Sequence, residues 1–163
     1  MKKLIYTLLI IVALTNNSFS AGSSSDDNST AKISDYSKAK NLIKAAKKYE
    51  KKGKTEKAQK RYAKAQKLLL KSNKKKPLQA DTLNYLGFTT RKLGDYEKGE
   101  EFYLQGLQIE PNHNGINEYL GELYIATNRM DLAKGRLDVL KDCNCKEYNQ
   151  LKEIIEGTKK SKY

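Results

Sequence analysis

A repeat constrains this chain more than any other feature. Tyr85-Leu86-Gly87 recurs as Tyr119-Leu120-Gly121, an offset of 34 residues. Residues 83–111 hold one whole period: an amphipathic stretch, a Leu-Gly-Asp-Tyr turn, a second amphipathic stretch, and Pro111. Proline lacks the N–H that a helix would need to continue. A period of this length marks a unit that cannot bury its apolar face alone and must stack on its neighbours. The expected fold is therefore all-α and built from helix pairs.

The same grammar extends in both directions. Upstream of the turn at Lys52-Gly53-Lys54, Leu42, Ala45, Ala46 and Tyr49 fall where the central unit has Leu83, Leu86, Gly87 and Thr90. Ala58, Tyr62 and Ala65 fall where it has Gly99, Tyr103 and Gly106. The offset here is 41 residues, not 34, with the surplus around residues 68–76. Seven residues make about two helical turns, so a helix can lengthen without rotating its apolar face. The second helix of this first unit should be the long one. Downstream, Tyr119, Leu120, Leu123 and Tyr124 mark a first helix, and Leu132, Ala133, Leu137 and Leu140 a second. Residues 146–158 then carry Tyr148, Leu151, Ile154 and Ile155 on one face, the pattern of a helix that covers the open end of a stack.

Leu83, Leu86-Gly87, Tyr103 and Pro111, at this period, resemble the tetratricopeptide repeat (TPR) family. Thr90 stands where that family prefers an aromatic, and Gly99 where it has a small alanine. The resemblance implies a TPR-like α-solenoid of three helix-turn-helix repeats plus a C-terminal closing helix. It also implies a concave face, lined by first helices, that binds a peptide or protein segment. Repeats are expected over 37–77, 80–113 and 114–142, and the closing region over 143–163. The run Glu-Tyr-Leu-Gly-Glu-Leu-Tyr, with a cysteine pair before the closing helix, resembles small exported TPR proteins of Gram-negative bacteria.

Export is also legible at the N-terminus. Lys2 and Lys3 precede an apolar run at residues 4–14, and small polar residues follow. That layout is a secretory signal peptide over residues 1–20, cleaved near Ser20. A run of this length makes about 17 Å of helix, short of the roughly 30 Å hydrocarbon core. A retained membrane anchor is the alternative. Residues 21–36 contain too little apolar surface to offset ordering entropy, and read as a flexible linker. The expected location is the periplasm or the cell exterior.

Charge is distributed unevenly. Residues 38–76 hold 17 lysines and arginines against two acids, whereas residues 77–163 hold 12 basic and 14 acidic residues. One reading is a solvated lysine-rich face. The other is a basic arm for an anionic partner. For an exported chain that partner is an anionic lipid, an anionic glycan or an acidic protein rather than nucleic acid.

Catalytic chemistry is poorly supplied. There is one histidine, His113, read as a loop residue, and there is no phosphate loop, nucleophile elbow or paired-histidine metal motif. No catalytic residue, cofactor or metal set is expected. Cys143-Asn144-Cys145 is the one reactive grouping. It admits a short-loop disulfide, an intermolecular one, or a thiolate pair for redox chemistry or a soft metal.

The candidate groove follows from the helix faces. Each first helix turns its apolar stripe to its own second helix, and the opposite stripe should line the concave side. That stripe carries Phe88, Arg91, Glu118, Glu122 and Ile125, with Lys92 beside Arg91. Phe88 lies off the apolar stripe. It is expected either to stand partly exposed as an anchor for a partner or to be covered by the first repeat.

Overall fold

The computed structural model describes residues 33–161. The N-terminal stretch read as a signal peptide and most of the linker lie outside them. Among the described residues there are seven helices and no strands: α1 (Asp35–Glu50), α2 (Thr55–Lys75), α3 (Ala80–Lys92), α4 (Tyr96–Ile109), α5 (Asn114–Ala126), α6 (Met130–Leu140) and α7 (Lys146–Ile155). None of them is long and apolar enough to cross a membrane. The long second helix is present: α2 has 21 residues. The first helix begins inside the stretch expected to be linker, because Ser34 caps it by accepting a hydrogen bond from the Ser37 N–H at 3.1 Å.

Local chemistry makes the pairs. The three turns within pairs are the same device. The N–H groups of Lys54, Asp95 and Arg129 donate back to the carbonyls of Tyr49, Thr90 and Tyr124, at 2.9, 3.2 and 2.7 Å. This is the closure of a helix whose chain leaves through a left-handed residue. Gly53 and Gly94 supply that residue at φ 66° and 98°, and Asn128 supplies it in the third pair at φ 58°. Asparagine tolerates that region better than other side chains.

Packing then stacks the pairs. Ala39, Ile43 and Ala46 of α1 meet Ala58, Tyr62, Ala65 and Leu69 of α2 in one continuous core with Leu83, Leu86 and Phe88 of α3. A second core joins Tyr103, Ile116, Leu120, Leu123, Tyr124 and Ala133. Each junction also has an ionic strap. Glu50 accepts from the Tyr62 hydroxyl at 2.8 Å and pairs with Lys92 at 2.7 Å. Glu100 accepts from both terminal nitrogens of Arg129, at 3.0 and 2.6 Å, the bidentate geometry that makes arginine pairs strong.

The ends of the stack differ from its middle. Helix α3, sandwiched between pairs, buries ten of its 13 residues. Helix α6, at the end, buries only Ala133 and Leu140. Leu132, expected to be buried, is 49% exposed. Among the described residues no further pair covers that side of α6. Helix α7 lays Leu151 and Ile154 on the third pair instead, and ends at Ile155, short of the expected 158.

Candidate functional site

First helices face a common hollow. Lys47 of α1, Asp81, Asn84 and Tyr85 of α3, Glu118 and Tyr119 of α5, and Lys146 and Gln150 of α7 line a cleft of about 380 Å³. Its walls are mostly polar side chains, and both signs of charge are present.

Asn84 is the best-built member. It is 6% exposed, and among the described residues its Oδ1 has no hydrogen-bond partner. A Cβ on Gly115 would lie 2.8 Å from Asn84 Nδ2, so the glycine is what leaves room for the amide. His113 stands at the rim. Its Nδ1 accepts from the Ile116 N–H at 3.1 Å and caps α5, while Nε2 lies 3.3 Å from Asp81 Oδ1. The chain's only histidine thus caps α5 at the rim of the cleft.

A buried polar layer lies under the cleft. Arg91 Nη1 donates to the Tyr119 carbonyl at 2.8 Å, and Nη2 lies 3.5 Å from Glu122 Oε2, both side chains being fully buried. Lys47 Nζ donates to the Tyr119 hydroxyl at 3.2 Å and sits 4.4 Å from the centre of the Phe88 ring. Burial raises the Tyr119 phenol well above its ordinary value, with Glu118 adding to the shift.

The expected groove residues therefore divide. Glu118 lines the cleft wall, 4% exposed. Phe88, Arg91 and Glu122 do not line an open face. Phe88 is 1% exposed, edge-on to Tyr62 at 5.7 Å and tilted against Tyr119 at 5.1 Å. The anchor reading of Phe88 is corrected: the first pair covers it. Lys92 belongs to the junction with α1, and Ile125 is half-buried against the second core. The reason is geometric. A first helix in the middle of a stack has a neighbour pair on one side as well as its own partner, so little more than a strip remains open.

Sequence reasoning missed Asn84, Lys47 and Asp81, and placed His113 in a loop without foreseeing its position at the cleft. A signal for two of them existed. Asn84 lies one 34-residue period before Glu118, and Asp81 one period before Gly115. Following the period from Glu118 back to α3 would have found the amide.

Cys143 and Cys145 are bridged, with Cα atoms 5.2 Å apart. The bridge closes the turn between α6 and α7, where Asn144 adopts φ 46°. A bridged pair offers no thiolate to a metal. Among the described residues no three His, Cys, Asp or Glu side chains gather as a metal site.

This architecture is that of a TPR-like helical-repeat solenoid. No protein-family model matches the chain, and no curated protein matches it. Solved structures do. SycD, the type III secretion translocator chaperone of Yersinia enterocolitica, is similar at 14% identity over 77% of this chain and 85% of its own, TM-score 0.52. PcrH, in complex with the chaperone binding region of PopD, is similar at 16% identity over 72% of this chain and 88% of its own, TM-score 0.52. The first TPR of Spaghetti (RPAP3), bound to an HSP90 peptide, has 20% identity over 77% and 96%, TM-score 0.47.

Proposed function

We propose that the protein is a non-enzymatic scaffold, working outside the cytoplasm, that takes an extended segment of a partner polypeptide in the cleft between its first helices. The observation that carries this reading is Asn84. A nearly buried amide, facing a cleft with an acceptor to spare, suits the main chain of an extended peptide. Such a chain presents an N–H and a C=O to pair with Oδ1 and Nδ2. PcrH, similar in fold, is in complex with the chaperone binding region of PopD, which supports the same kind of use here. The lysine and basic-residue start at Lys2-Lys3 with its apolar run supports export.

The test places a photo-crosslinking residue at Tyr85 or Gln150 in the cleft and, as a control, at Lys134 on α6. The same partner should be captured from both cleft positions and not from Lys134. Asn84→Ala should weaken capture at least tenfold with the melting temperature nearly unchanged, since it removes an acceptor that has no partner within the described fold. Capture from all three positions alike would sink the groove reading. The mass of the recovered protein reads the N-terminus: a start near Ala21 supports export, and an intact Met1 on a cytosolic protein ends it.

A further inference from the structure

Helix α2 buries one face and gives the opposite face to lysine. Ala58, Tyr62, Ala65 and Leu69 are buried. Lys57, Lys60, Lys64, Lys67, Lys71 and Lys74 are all exposed. They recur every three or four residues, so they form one line on the side away from the core. At helical rise the line runs about 26 Å. Among the described residues only Lys71 of this line has a carboxylate at ion-pair distance, Asp35 at 3.6 Å. Like charges one turn apart repel, so the line costs the helix stability. Solubility alone does not call for it: the rest of the repeat region mixes both signs.

The two ends of the line differ. At one end Lys57, Lys60, Arg61 and Lys64 surround a shallow cleft of about 390 Å³ beside Tyr49. At the other end large apolar side chains stand in water: Leu70 is 47% exposed, Leu78 71% and Ile33 57%. Leu70 lies between Lys67 and Lys74 on the helix surface. Ile33 precedes α1, whose Asp35 is 2.9 Å from Lys75, and Leu78 follows α2, so both flank the same end of the pair. The 32 residues that precede Ile33 join the fold here, with the apolar run at residues 4–14 among them.

A line of lysines with Leu70 beside it, and with Ile33 and Leu78 exposed at one end, makes an interfacial surface. The ammonium groups meet lipid phosphates while the apolar side chains enter the headgroup boundary. We propose that this face of α2, together with Ile33 and Leu78, seats the protein on an anionic phospholipid bilayer. A nucleic-acid face would have no use for the exposed leucines. The surface lies on a second helix, whereas the cleft is lined by first helices and α7, so seating leaves the cleft open. The inference stands or falls independently of the groove reading.

Vesicle partitioning of the full chain tests it. Phosphatidylcholine vesicles are compared with vesicles that also contain phosphatidylglycerol, at low and high salt. The Lys2-Lys3 start and its apolar run are shared by the wild type and every variant, so the difference between wild type and variant isolates the α2 face. The wild type should prefer the anionic vesicles at least tenfold, and high salt should erase the preference. Replacing Lys57, Lys60, Lys64 and Lys67 together by alanine should abolish it, because each lysine near such a surface is worth about fivefold. Leu70→Ser with Leu78→Ser should lower partitioning severalfold at unchanged charge, which a soluble polyanion would not require. Equal partitioning onto both vesicles overturns the proposal, as does a quadruple variant that keeps the preference. So does a leucine pair without effect when DNA, polyglutamate or an anionic glycan strips the protein from vesicles. Circular dichroism checks the quadruple variant's fold. If it does not fold, the salt titration and the leucine pair still decide.

Discussion

Phe88 carries the clearest lesson at the scale of the residue. It looks exposed on a helical wheel, since it follows Leu86-Gly87 and leaves the apolar stripe. In the fold it is the middle ring of a Tyr62, Phe88, Tyr119 series that runs through three helix pairs. Edge and tilted contacts of this kind add to area burial. Phe88→Ala should therefore cost about 3–5 kcal/mol in urea unfolding, the range for an aromatic truncated in a core. A change below about 1 kcal/mol would mean the ring is not buried in solution. The two departures from the repeat grammar also find their causes here. Thr90, in place of an aromatic, is 3% exposed, and its Oγ1 accepts from Gln66 Nε2 at 2.8 Å, so the long α2 fills the space. A Cβ on Gly99 would lie 3.2 Å from Arg91 Cβ and from the Gly87 carbonyl oxygen, so an alanine there would press on α3.

Helix α7 shows what an element contributes when its own stability is small. A ten-residue helix is marginal in isolation. Its Leu151 is fully buried and packs where Gly121 has no side chain: a Cβ there would lie 2.6 Å from Leu151 Cδ2. The helix therefore exists because the third pair receives it, and it covers apolar surface that the third pair would otherwise leave open. Leu151→Ala should cost about 2–5 kcal/mol. Truncation after Asp142 should produce aggregation or a steep fall in melting temperature. A truncated chain that melts like the full one would show α7 to be an appendage, and the closing role would be withdrawn.

Across the whole molecule the tyrosines set the alkaline limit. The phenols of Tyr36, Tyr62, Tyr103 and Tyr119 are all raised above their ordinary value near 10, with burial the largest cause in each. A raised folded-state value means the native state holds the proton more tightly than the unfolded chain does. The stabilisation is fully present below pH 10 and is lost as pH climbs through the folded values. Thermal stability should be level from neutral pH to about 10 and then fall, with tyrosinate absorbance and helical signal changing together. Tyrosinate appearing in full well before any loss of helix would contradict the burial of these rings.

The sequence by itself determined the period, the helix pairs, the turns, the long α2 and the closing helix. Those features follow from local rules. Gly53 and Gly94 permit the turns, apolar residues recur at three and four, and a 34-residue offset between Leu86 and Leu120 can be read without knowing what touches what. Only the tertiary structure decided which polar face stays open. Phe88, Arg91 and Glu122 sit on the face that a single helix would show to solvent, yet the neighbouring pairs close over them. Asn84 and Lys47 come together with Tyr85, Tyr119 and Gln150 from four different helices. Exposure on a stacked helix is set by its neighbours' superhelical placement, a property of the contacts between pairs that no single helix encodes.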